Sequence, residues 1–203
     1  MRILAEILAV FSLVGFLAVV DSFGGGIENG LIGSSSSSQE AAARLIAYSK
    51  KDLPQCYNDL SGPHFTLVKA VGAIENASQS GIEEYFETAL LWISKTTGIP
   101  PVDFSYGPMQ IRPSTIKKWI SNVPNENWAI AALLLDKCSN IQIGQQLIAE
   151  IGKSIGQCEE QDCTTKILQI YNGQKEPTIS SLIYHEIVQE MIGFHTSSKQ
   201  SVH

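Results

Sequence analysis

The chain has 203 residues, 44% hydrophobic and 17% charged, with a formal net charge of -6. That is enough apolar material for one main domain with a real core. The acidic balance and the lack of any basic cluster exclude a nucleic-acid-binding face and argue against tight adsorption to an anionic surface.

In chain order, residues 1–22 read as a targeting segment rather than as part of the fold. Arg2 and Glu6 precede the uncharged residues 7–20, in which Ser12 is the one polar side chain. That is the length of a signal-peptide apolar region and short for a spanning helix. A cleaved signal peptide is the favoured expectation, and an uncleaved anchor tethering the protein to a membrane is the alternative. A lipoprotein is not expected, because the first cysteine is Cys56. Residues 23–38, with Gly24-Gly25-Gly26 and the serine run 34–38, cannot bury a face and read as a flexible linker. The folded domain is expected over 39–203.

From there the pattern predicts helices. Residues 40–50 open the domain. Residues 65–77 are apolar nearly all round, which marks a buried helix. Residues 81–97 place Tyr85, Ala89, Trp92 and Ile93 on one side, with Glu83, Glu84 and Glu87 expected on a solvated face. Pro100-Pro101 ends that region, and Pro113 suits the first turn of the next helix. Residues 127–138, with Trp128, Ile130, Leu133, Leu134 and Leu135, form another buried candidate. Ile143, Leu147, Ile151 and Ile155 recur about one turn apart, and segments 162–171 and 179–191 complete the set. No period-two alternation is sustained. The fold class is therefore mainly α, with one helical domain after the N-terminal segments.

Export makes the cysteines meaningful. Cys56, Cys138, Cys158 and Cys163 are an even number that admits two disulfides, with three pairings open. Cys158 and Cys163 lack nearby ligands to complete a tetrahedral set, so no metal site is expected.

Three places carry candidate chemistry. Glu75 is a lone acid among Val71, Gly72, Ala73, Ile74 and Ala77. Desolvation there would raise its pKa, as a general acid requires, whereas a position on a solvated stripe would leave it inert. Residues 105–115, SYGPMQIRPST, combine a glycine-proline turn with polar groups; Gly107 can bring backbone close to a ligand, or the segment can serve as a helix-capping turn. Tyr171-Asn172-Gly173 reads as a site wall or as a core plug with a helix cap. Trp92, Trp119 and Trp128 sit at helical positions and are expected in the core rather than as sugar platforms.

Taken together and in this order, the three stretches resemble the soluble lytic transglycosylases and goose-type lysozymes, the lysozyme-like enzymes that cut bacterial peptidoglycan. Glu75-Asn76 matches that family's Glu-Ser at the end of a buried helix. Residues 105–115 match its Ser-x-Gly-x-Met-Gln-[Ile/Val]-x-Pro-x-Thr motif, and Tyr171-Asn172-Gly173 stands for Tyr-Asn-Ala-Gly. The resemblance spans roughly residues 60–195. The chain departs from the pattern in a longer interval between Glu75 and Gln110, which holds the helix at 81–97, and in a glycine one residue early after Tyr171. Glu83, Glu84 and Glu87 are the rival acids if the first match has slipped.

The resemblance implies a lysozyme-like fold and cleavage of the bond between N-acetylmuramic acid and N-acetylglucosamine. Glu75 would be the acid and then the base, and Asp103 would be the first second carboxylate to consider in a hydrolase. Ser105 and Gln110 would bind near the acetamido group. Tyr106 would belong to the same substrate-binding set, and Met109 would contact sugar or peptide stem. Tyr171 would bond near the catalytic carboxyl, supported by Asn172. No metal or organic cofactor is implied. The expected partners are peptidoglycan strands, with envelope or secretion-apparatus proteins beside them, in a periplasmic or extracellular setting. The alternatives are a non-catalytic peptidoglycan-binding module on the same fold and an exported helical structural protein.

Overall fold

A computed structural model describes residues 37–62, 64–79, 81–98, 103–156, 160–173 and 179–200. The expected signal or anchor at 7–20 and nearly all of the linker lie outside the described residues. Among the described residues the fold is mainly α, and the only extended pairing is an isolated antiparallel bridge between Tyr106 and Ile111.

The helices are α1 (Ser38–Asp52), α2 (Gln55–Asn58), α3 (Phe65–Ser78), α4 (Gly81–Thr97), α5 (Pro113–Trp119), α6 (Asn127–Leu135), α7 (Lys137–Ile155), α8 (Glu160–Tyr171) and α9 (Ile179–Gln200). None of the described helices is long and apolar enough to cross a membrane. Local chemistry sets several ends. The Ser37 hydroxyl accepts from the Glu40 amide to start α1, and Pro113 begins α5 where its missing N–H costs nothing. The expected helix at 127–138 is instead two. Asp136 takes an extended conformation, ends α6, and caps α7 by accepting from the Ser139 amide at 2.8 Å. A side chain that satisfies an orphan amide competes with helix continuation.

α3 is the centre. It packs on α1, α9 and α7, while α7 also carries α6 and α8. Nine residues of α3 are buried, among them Leu67, Val68, Val71 and Ile74, which explains its lack of a polar face. The disulfide Cys56–Cys138 ties α2 to the start of α7 across 82 residues of chain. Cys163 is also disulfide-bonded, and Cys158 lies outside the described residues.

Two expectations about burial are overturned. On α4 the face with Tyr85, Ala89, Trp92 and Ile93 is exposed, Tyr85 at 83% and Trp92 at 67%. Glu87, expected in solvent, is buried instead with Leu90 and Ser94. On α6, Trp128 and Leu133 are likewise exposed, while Ile130, Ala131 and Leu134 are buried. Trp119 is partly buried against the core, as expected.

Candidate active site

The three stretches singled out in the sequence meet at one cleft of about 340 Å³. Glu75 and Ser78 come from the end of α3. Ser105, Gln110, Arg112 and Thr115 come from the turn before α5 and its first residues. Tyr171, Asn172 and Gly173 come from the end of α8.

Glu75 is half-buried at the last turn of α3, where that helix leaves the core. Its Oε1 accepts a hydrogen bond from the Tyr184 hydroxyl at 2.9 Å. Tyr184 belongs to α9, and periodicity gave no reason to single it out; its partner lies 109 residues away in sequence. Tyr171 lines the cleft, but its hydroxyl donates to the Met109 carbonyl rather than to the carboxyl. Burial, and after it the negative charge of Glu75, pushes the Tyr171 phenol well above its usual range, so it remains a neutral donor.

The turn that carries Gln110 is built to close tolerance. Gly107 has φ of 66°, and a Cβ there would lie 2.3 Å from the Leu134 carbonyl and 2.6 Å from Asn140 Nδ2, so no other residue fits. Asn140, fully buried on α7, donates to the carbonyls of Tyr106 at 2.8 Å and Leu134 at 3.0 Å and accepts from the Met109 amide at 2.7 Å. From the other side, Glu87 Oε2 accepts from the Gly107 amide at 3.2 Å and Oε1 from the Gln79 side chain at 3.1 Å. A turn inside a protein must find partners for its backbone groups, and here α4 and α7 supply them. Gln110 itself is left-handed, with φ of 48°, and its side-chain amide donates to the Gly107 carbonyl at 3.0 Å. Such a conformation in a non-glycine residue persists only where the surroundings enforce it.

Two expected ligand contacts are corrected by this geometry. Met109 is fully buried, and its side chain lies between Gly72 of α3 and Gly144 of α7. A Cβ at Gly144 would stand 2.7 Å from Met109 Cε, so the two glycines make room for the thioether, which fills the core and does not reach a ligand. Tyr106 is also fully buried and absent from the cleft lining. Burial, then the charges of Glu87 and Asp103, raises its phenol to about 12.

The rival acids fare differently. Glu87 is engaged in the core, away from the cleft lining. The side chains of Glu83 and Glu84 lie outside the described residues. Asp103 accepts from the amide and the hydroxyl of Ser114 at 2.9 and 2.5 Å, ordering the start of α5. Among the described residues lining the cleft, Glu75 is the one carboxylate. The side chains of Ser105, Arg112 and Asn172 line it too, and none of the three is held by another side chain or by backbone among the described residues.

The end of α8 also serves as a cap. The Asn172 amide donates to the Leu168 carbonyl, and Gly173 adopts φ of 66°. The helix-cap reading of Asn172-Gly173 holds, and the same three residues line the cleft.

Comparison with protein-family models, with curated proteins and with solved structures returns no match for this chain.

Proposed function

We propose that this protein cleaves the glycan strands of peptidoglycan as a lytic transglycosylase, with Glu75 as its acid and base. The observation that carries the reading is the meeting of Glu75, Gln110 and Tyr171 at one cleft in which Glu75 is the one carboxylate among the described lining residues. A two-carboxylate glycosidase needs a partner across the scissile bond, as nucleophile or as base for a water. A single carboxylate suits a route in which the substrate supplies its own nucleophile.

In that route Glu75, protonated, gives its proton to the oxygen between N-acetylmuramic acid and N-acetylglucosamine. The bond from muramic C1 to that oxygen breaks, and the glucosamine leaves as an alcohol. Glu75, now a carboxylate, takes the proton from the muramic 6-hydroxyl as O6 bonds to C1. A 1,6-anhydro ring closes and no water is consumed. Tyr184 fixes the orientation of the carboxyl through its 2.9 Å hydrogen bond. Ser105, Gln110 and Asn172 offer donors and acceptors for hydroxyl and acetamido groups. The lysozyme-like fold, an exported location and peptidoglycan as partner belong to the same proposal. The disulfide Cys56–Cys138 suits an oxidising compartment.

The test is digestion of purified peptidoglycan by the full chain with its disulfides intact, and by Glu75→Gln, read by product mass. The expected products are lighter than hydrolytic muropeptides by one water. The variant should lose activity by at least about a hundredfold, the usual worth of a positioned general acid. Hydrolytic masses, or a variant as active as the parent, would overturn the proposal.

A further inference from the structure

We propose that Arg112 reads a carboxylate on the lactyl side arm of muramic acid, so that the enzyme selects strands by the acid groups they carry beside the scissile bond. The inference rests on the proposed function and names a substrate feature for the same cleft.

Arg112 lines the cleft with Glu75, and these two are the charged side chains among its described lining residues. Its backbone is pinned. Ile111 before it is bridged to Tyr106 by paired hydrogen bonds of 3.0 and 3.1 Å, and the Arg112 carbonyl accepts from the Thr115 and Ile116 amides at 3.0 and 3.2 Å. Pro113 after it has a fixed φ. The side chain is exposed and makes no hydrogen bond or ion pair among the described residues. Arg44, the other arginine among the described residues, pairs with Glu40 at 2.6 Å, and Lys153 and Lys166 pair with Glu150 at 2.7 Å and Asp162 at 2.6 Å. A chain with 20 acidic residues against 14 basic ones offers many partners, yet Arg112 lines the cleft without one among the described residues.

The chemistry then narrows what it can meet. Both sugars of the strand are N-acetylated and carry no charge on their rings. The negative groups beside the scissile bond belong to the muramic side arm. They are the lactyl carboxylate itself where the peptide stem has been removed, or the free acids of the stem where it is present. A guanidinium offers a planar fork of donors that fits a carboxylate with two parallel bonds, and an ammonium cannot copy that geometry. Met109 turns its side chain into the core, which leaves Arg112 as the candidate contact to that side arm from this turn.

The test compares wild type, Arg112→Gln and Arg112→Lys, as full chains, on four substrates: stem-bearing strands, the same strands with their carboxylates amidated, strands stripped of stems, and a neutral oligomer of N-acetylglucosamine for binding alone. Arg112→Gln is expected to raise KM about fivefold to tenfold on a carboxylate-bearing strand, the loss falling on KM rather than kcat. Arg112→Lys should recover part of it, and amidation should remove the difference among the three proteins. Dependence on Arg112 confined to stem-bearing strands identifies stem acids, and dependence on stripped strands identifies the lactyl carboxylate. An equal effect on amidated and acidic strands, weakened binding of the neutral oligomer by the variant, or no effect on either acidic strand, would overturn the inference while leaving the cleavage reading intact. Failure of the wild type to cleave any strand would overturn both.

Discussion

Helices α3 and α4 follow one another in the chain and bury opposite kinds of surface. α3 is apolar nearly all round and sinks into the core, so that its one acid, Glu75, emerges only where the helix ends at the cleft. α4 has an aromatic stripe that faces outward and buries Glu87 and Ser94 beside Leu90. For α3 the hydrophobic effect decides the orientation, because every face offers apolar area. For α4 a turn with unsatisfied backbone groups decides. Glu87 Oε2 answers the Gly107 amide, and a buried amide left without an acceptor carries an uncompensated desolvation cost.

The sharpest way to break this contrast is to remove the polar anchor of α4. Glu87→Ala strips partners from the Gly107 amide and the Gln79 side chain, and a loss of about 3 kcal/mol in unfolding free energy is expected. Urea denaturation measures it. Leu67→Ala in α3 should cost a similar ~2–5 kcal/mol for the opposite reason, a cavity among apolar neighbours. A Glu87→Ala cost below about 1 kcal/mol would mean that α4 is not held by its carboxylate.

The same contrast explains what was legible in the sequence. The span of α4 was readable from its flanking Gly81 and Pro100-Pro101, and that of α3 from its unbroken apolar run. The face that α4 buries was not, because its deciding partner is a backbone amide 20 residues further on. Glu87, Leu90 and Ser94 do share a helical face, but nothing local marks a polar face as the inner one. Tyr184 was hidden for the same reason, its carboxylate partner being remote. Met109 is ambiguous in the sequence, because an apolar side chain in a polar motif suits a ligand contact and a core equally. Only the closeness of Gly72 and Gly144 decides it. The Asp136 break was local and readable, since an aspartate before Lys-Cys-Ser can cap a new helix. The cleft's polar residues were legible because three short stretches carry them.

His185 is buried on α9, which packs on α1 and α3, and its Nε2 finds no hydrogen-bond partner among the described residues. Burial lowers its pKa below the usual 6.5. The unfolded chain therefore binds the proton more readily than the folded one. Stability from this group is fully present above about pH 6.5, falls as pH drops below that, and levels off once the folded imidazole is protonated. Unfolding midpoints taken between pH 7.5 and 5 should decline, and His185→Leu should flatten that part of the slope. An unchanged slope in the variant would assign the decline to other groups.

The outward stripe of α4 should contribute little to stability. A tryptophan truncated in a core costs about 3–5 kcal/mol. Trp92 is 67% exposed, so Trp92→Ser should change the unfolding free energy by no more than about 0.5 kcal/mol. Glu87 and Trp92 are linked through helix geometry. Residues 87 and 92 differ by five positions at about 100° each, which sets them far apart around the axis of α4. One rotation of the helix cannot bury both. If Trp92→Ser proved costly, α4 would have its aromatic stripe inward, Glu87 would be in solvent, and Glu87→Ala would be cheap. If Trp92→Ser is neutral and Glu87→Ala is not, the carboxylate sets the orientation of α4, and with it the position of the Gly107 turn that carries Gln110 and Arg112 to the cleft.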